Sequence, residues 1–230
     1  MNLLLVSATY FEIRPFLDLL PLVEKQSEQL FTFRYKDILI DALIAGIGMV
    51  PTAYFLGSRL SQKHYDLALN AGVAGTFKKS IPLGTVVNVV EDRIPEFGAE
   101  DGDNFLSVFD LGFYEPDTPP FTNGRLINPE SAGKEMINYK ALAKLQKVSG
   151  ITSNTIRGSA ASVEKIKRLA PADIESMEGA AFFYACFSSE IPCFQIRSIS
   201  NLVEERDKSK WDINLALKNL NKTLWQLITH

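Results

Sequence analysis

The chain has 230 residues, 46% of them hydrophobic, with a formal net charge of −3. That length holds one α/β domain over residues 1–230 with a full core, the weakly acidic balance offers no basic face for nucleic acid, and no apolar run reaches the span of a bilayer. Cys186 and Cys193 sit in apolar surroundings without CxxC spacing and the histidines are His64 and His230, so the sequence predicts reduced core thiols, no metal site, no Ser/His/Asp hydrolase and a soluble, cytoplasmic protein.

Asn2–Ser7, with its Leu-Leu-Leu-Val run, reads as a buried first strand. Thr9-Tyr10-Phe11-Glu12 has the spacing of a capping box opening a helix in which Pro15 is tolerable near the start. Leu30–Tyr35 and Ile38–Ile44 read as strands around a Lys36-Asp37 turn. Gly46-Ile47-Gly48 follows the second strand, but Pro51 occupies the third glycine position of a dinucleotide fingerprint, so a tight turn into a helix over Thr52–Gln62 is the better reading. Asp66–Asn70 is the next strand and feeds the small-residue segment Ala71-Gly72-Val73-Ala74-Gly75. Backbone there can approach a ligand, or simply make a crowded turn. Thr85–Val90 is a further strand.

Residues Glu91 to Glu130 are acidic, rich in Gly and Pro, and studded with Phe and Tyr whose rings need burial. Asp101 and Asp103 lack the remainder of a calcium loop. Ser131–Lys147 reads as an amphipathic connection, Gly150–Ile156 as a strand and Ser162–Leu169 as a short helix. Ser176–Asn201 then opens with Ser-Met-Glu, runs through Gly179-Ala180-Ala181 into an apolar helix and crosses Pro192 into a buried strand over Cys193–Ile199. Ligands of open α/β sheets bind at the carboxyl ends of strands, so Asn201 belongs at the crevice. The polar stretch Leu202–Trp211 has the composition of a lid. Asp212 caps a terminal helix with Ile213, Leu217, Leu220, Leu224 and Leu227 on one face.

From the residues alone, Glu12 is as readily a capping glutamate as a site group, Glu178 a first-turn glutamate facing the helix dipole, Met177 a core methionine, Asn201 a turn residue and Arg206 a solvated charge. Taken together, Met177-Glu178, the strand end Arg197-Ser198-Ile199-Ser200-Asn201 and Ala8-Thr9-Tyr10-Phe11-Glu12 are similar to the nucleosidase branch of the nucleoside phosphorylase superfamily. That resemblance implies a three-layer α/β/α fold around a mixed twisted sheet, usually as a homo-oligomer, and a small-molecule purine nucleoside as substrate without a cofactor. By the resemblance, Glu12 handles the attacking water, Glu178 grips the ribose with Met177 on its face, and Val73, Ala74 and Gly75 wall the pocket. Thr155 and Ile156 flank the base, and residues 91–130 help form the dimer and the pocket beyond the sugar.

The strand-end residue is Asn201 where the nucleosidases carry Asp. An amide offers one donor and one acceptor, matching a 6-oxopurine rather than adenine. Arg206 is the candidate partner for an acidic group beyond the ribose. A phosphate-using enzyme would need the early Gly-Asp-Pro loop and arginines that the first strand end, Ser7-Ala8-Thr9-Tyr10, does not have. An adenine-releasing nucleosidase and a silent purine-binding sensor are the competing readings.

Overall fold

The computed structural model describes residues 1–102, 104–129 and 133–229; Asp103, Glu130, Ser131, Ala132 and His230 lie outside the described residues, and with them the ends of the acidic stretch and of the connection that follows it. Alternation builds the first strand, β1 (Asn2–Ser7): Leu3 and Leu5 enter one apolar cluster, Leu4 and Val6 another on the opposite face. After α1 (Tyr10–Leu17) come the antiparallel strands β2 (Leu22–Lys25), β3 (Leu30–Tyr35) and β4 (Ile38–Ile44). α2 (Met49–Gln62) starts three residues before the sequence predicts, because Pro51 fits a first turn, where its missing N–H has no partner to lose. β5 (Leu67–Thr76) does not stop at Asn70: the small residues Ala71 to Gly75 continue it as strand, not turn.

β6 (Val86–Asp92) is followed by the hairpin β7 (Gly98–Asp101) and β8 (Asn104–Ser107), and by β9 (Leu126–Ile127). In this region Phe121 is buried against Phe109 and Tyr184, while Phe113 stays exposed. The connection contains α3 (Tyr139–Leu142), and β10 (Gln146–Thr152) ends four residues earlier than predicted. Ser153 stops it, since its hydroxyl accepts from the Thr155 N–H in a local turn. α4 (Ala160–Leu169), β11 (Ile174–Ser176), α5 (Gly179–Ser188), β12 (Cys193–Leu202) and α6 (Ile213–Ile228) complete the order, with Asp212 accepting from Leu215 N–H as the cap of α6. β12 runs three residues past Ile199, so Asn201 lies within the strand. Among the described residues, no helix is long and apolar enough to cross a membrane.

Ten strands form one mixed sheet, in the order β11-β10-β6-β12-β5-β1-β4-β3-β2 with β9 on β6, while β7 and β8 form a separate two-stranded sheet; β11 also pairs antiparallel with the end of β5. That second pairing curls half of the sheet back on itself. Helices α1 and α6 cover one face through Ile13, Phe16, Leu17, Leu220 and Leu224; α2 and α5 cover the other through Leu56, Phe182, Phe183 and Cys186. The layered α/β architecture expected from the sequence is present, with this closure in addition. Cys186 and Cys193 are free and buried.

One buried charge ties α2 to the sheet. Asp41 of β4 has no exposure and receives Arg59 Nη2 at 2.7 Å, Lys63 Nζ at 2.8 Å, Tyr65 Oη at 2.6 Å and Thr32 Oγ1 at 2.7 Å. Burial pushes its pKa up, but these donors more than offset it and bring it down from 3.8 to about 2. Folding therefore favours the ionised carboxylate. Its stabilisation, on the order of 2 kcal/mol, is complete above pH 4 and is lost as pH falls through about 2. Asp41→Ala is expected to destabilise the fold by about 3 kcal/mol at neutral pH by stranding two cations, and the variant should lose part of the acid-induced decline seen in wild type by urea titration at pH 7 and pH 3.

Candidate active site

Glu12 is held from four sides. Its Oε2 accepts from Ser7 Oγ (3.2 Å), Thr9 N–H (3.0 Å) and Thr9 Oγ1 (3.0 Å), and its Oε1 accepts from Val73 N–H (3.1 Å). The capping role and the site role are thus not rivals: one oxygen closes the helix start while the other meets the small-residue strand β5.

Glu178 takes the N-cap position of α5 but makes no cap bond to its own helix. Its Oε1 accepts from Gly48 N–H at 3.1 Å, and its Oε2 lies 3.6 Å from Arg197 Nη1. Gly46 and Gly48 take φ of +87° and +96°, a region side chains rarely adopt, and this turn aims the Gly48 amide at the carboxylate. The two-glycine turn therefore serves a carboxylate of the chain itself rather than a dinucleotide phosphate. Asn154 supplies the missing cap of α2 by accepting from Met49 N–H at 2.9 Å. Burial raises the pKa of Glu178, Arg197 opposes that shift, and the nearby charge of Glu12 adds to it.

Arg197 is the group that residue-type reasoning quoted in a motif but gave no role. It is fully buried in β12, donates from Nη2 to Asn70, and among the described residues has no hydrogen-bond partner for Nε or Nη1. Gly72 makes room for it. A methyl there would strike the guanidinium and lie 3.0 Å from Glu12 Oε1, so Arg197 and Glu12 face the same few ångströms of β5. A cation 3.6 Å from the Glu178 carboxylate favours its charged form in a buried place.

Glu12 and Glu178 border a cavity of about 380 Å³, with Arg197 buried behind its wall. Val73, Ala74, Gly75, Thr155, Ile156, Met177, Asn201 and Arg206 line it with Glu12 and Glu178, so every residue singled out from the sequence is brought together. Their settings differ. Thr155 and Ile156 are exposed on the loop after β10, and Arg206 is exposed at the rim. Asn201 is half-buried; its Oδ1 accepts from Ser200 Oγ at 2.8 Å and its Nδ2 donates to the Leu202 carbonyl at 2.9 Å. A carbonyl can only accept, so this pair fixes which way the amide points. One N–H and one lone pair of the amide are left for a ligand.

The cavity wall also contains Phe11, Ile47, Trp211 and an ion pair that no local pattern of the chain encodes, Arg157 with Glu175. Arg157 bridges Glu175 and Glu96 and also donates to Ser153 Oγ. Glu175 rises to about 7, chiefly through burial, with the Glu96 charge adding to the shift and Arg157 opposing it. Among the described residues of 91–130, none lines this cavity directly.

The Phosphorylase superfamily model matches residues 2–229. The chain belongs to that superfamily. A futalosine hydrolase of Streptomyces coelicolor is 29% identical over 194 residues, covering 81% of this chain and 77% of the relative. The futalosine hydrolase of Helicobacter pylori shares the fold at a TM-score of 0.77 and 20% identity, over 98% of this chain and 96% of that one. The 5′-methylthioadenosine/S-adenosylhomocysteine nucleosidase of Neisseria meningitidis, in complex with methylthio-immucillin-A, does so at 0.79 and 19%, over 98% and 97%. At those identities the solved structures speak for the fold alone. The superfamily frame accounts for the architecture, and the cavity of this member combines its two glutamates with an amide at position 201 and a carboxylate at position 175, with Arg197 buried behind the Glu178 carboxylate.

Gly72→Ala is the sharpest probe of this geometry, since it adds one methyl against Arg197 and Glu12. The variant is expected to lose about 1–3 kcal/mol of stability from overpacking, read as a lowered melting temperature, whereas Gly57→Ala, which meets open space, should be neutral or better.

Proposed function

We propose that the chain is a cytoplasmic purine nucleosidase that hydrolyses the N-ribosidic bond of futalosine, releasing hypoxanthine and dehypoxanthinyl futalosine in the menaquinone route, and that residues 1–230 act as one domain in a homo-oligomer. The observation that carries the reading is the pair Glu12 and Glu178 at one cavity with Asn201 on its wall. The futalosine hydrolase relative supports the substrate.

In this reading a water attacks C1′ of the ribose while the C1′–N9 electron pair leaves with the purine. Glu12 takes the water's proton. Glu178 binds the ribose hydroxyls, and its charge favours the positive sugar that develops as the bond opens. Arg197 favours the ionised form of Glu178 until the sugar supplies positive charge of its own. The departing purine acquires a proton on N7 from solvent, because an amide has none to give. Asn201 accepts from that N7–H and donates to O6. Thr155 and Ile156 border the base, Met177 the ribose, and Val73, Ala74 and Gly75 bring backbone close to both. Arg206 meets the carboxylated aryl group beyond the sugar. Methylthioadenosine nucleosidase activity is the alternative, and the amide at position 201 is what disfavours it.

Purified protein incubated with futalosine, inosine and methylthioadenosine, with and without phosphate, is expected to release hypoxanthine from futalosine independently of phosphate. Adenine release would overturn the role of Asn201, and dependence on phosphate would make the enzyme a phosphorylase. Glu12→Gln and Glu178→Gln should each lower kcat by about 10²–10³-fold. The raised pKa of Glu178 puts the acid limb of kcat/KM above 4.5, the ordinary glutamate value. Activity should fall as pH drops toward that limb and the ribose-binding carboxylate is neutralised. Asn201→Asp should shift preference toward adenine by about 10- to 100-fold, the scale of one mispaired buried polar edge.

A further inference from the structure

Asn201 accounts for one side of a 6-oxopurine, O6 and N7. The other side carries N1–H, a donor where adenine presents a bare acceptor nitrogen. A site that prefers the 6-oxo base needs an acceptor facing N1.

Glu175 has the position and the chemistry for it. The antiparallel pairing that closes the sheet puts Glu175 opposite Gly75, and β12 puts Asn201 opposite the same glycine from the other side. The two residues therefore flank one backbone position, as N1 and N7 flank C6 of the ring. Gly75 contributes no side chain between them: a methyl there would approach Asn201 Nδ2 to 3.0 Å and Val203 Cγ2 to 2.7 Å. Both side chains line the cavity. Glu175 is nearly inaccessible to solvent, and Arg157 engages its Oε1; among the described residues no hydrogen bond reaches Oε2. Arg157 is itself anchored by Glu96 and Ser153, which fixes the carboxylate on the wall. A loop-tying ion pair by itself would have no need to border the cavity.

We propose that Glu175 is a specificity residue that accepts the N1–H of a 6-oxopurine through Oε2, with Arg157 holding the carboxylate in place. This deepens the nucleosidase reading and rests on its choice of base. Together with Asn201 it gives the pocket an acceptor at N1, a donor at O6 and an acceptor at N7–H. Adenine would set its N1 lone pair against the Glu175 oxygen.

Free bases test the assignment without any turnover. By calorimetry at pH 8, where the Glu175 carboxyl is mostly ionised, wild type is expected to bind hypoxanthine about 10- to 100-fold more tightly than adenine or 1-methylhypoxanthine, the range for a hydrogen bond to a charged group. Glu175→Gln, whose amide can turn a donor toward N1, should erase or reverse the hypoxanthine-to-adenine ratio. Glu175→Ala should bind hypoxanthine and 1-methylhypoxanthine alike. A purely structural ion pair would lower the melting temperature of both variants and leave those ratios unchanged, which overturns the proposal while the nucleosidase reading stands. Wild type binding 1-methylhypoxanthine as well as hypoxanthine overturns it with no variant needed. Base discrimination through Glu175 in a protein that cleaves no nucleoside would sustain this assignment and sink the reaction.

Discussion

A guanidinium with no exposure, in the middle of a central strand, is the constraint around which this molecule is arranged. Leaving the Arg197 charge unpaired in such a place would cost several kcal/mol, so the fold has to bring anionic or strongly accepting groups to it. It does so from two separate parts of the chain, Asn70 from β5 and Glu178 from the start of α5, while Gly72 leaves the room it needs beside Glu12. The position of Glu178 is thus set by the electrostatics of the core as well as by the cavity. Function and stability share one arrangement here.

The closed half of the sheet is the second element of the design. An open sheet offers ligands a crevice at its strand ends. Here the antiparallel contact between β5 and β11 turns that crevice into a walled cavity, and the same contact decides which side chains stand opposite one another. Small residues from Ala71 to Gly75 are the means: a bulkier strand could not carry Arg197 behind it and a cavity in front.

Much of this was legible in the sequence. Alternation in Leu3–Val6, the Thr9 to Glu12 spacing, the helical period from Ile213 to Leu227 and the Met177-Glu178 pair each report a local rule that the structure obeys. Boundaries went astray where a side chain overrides propensity. Ser153 ends β10 early, Pro51 admits an earlier start to α2, and the pairing with β12 and β11 keeps β5 extended through glycine-rich sequence that read as a turn. Glu175 and Arg157 were invisible for a different reason. They are 18 residues apart, and the parallel pairing of β10 with β11 makes them neighbours; no periodicity encodes that contact. Arg197 was visible as a letter in a motif, but its burial was not, since an arginine in an apolar strand is equally compatible with an edge position.

Glu12 carries a last implication, for how variation at this site should be interpreted. One carboxylate oxygen closes the first helix, and the other faces β5 and the cavity. A survey of substitutions scored by protein abundance would rank position 12 among the architectural residues, and a survey scored by turnover would rank it among the chemical ones. Both rankings would be correct, and neither could be used to discount the other. Separating them calls for glutamine, which can still accept from the Thr9 amide while being unable to take a proton from water.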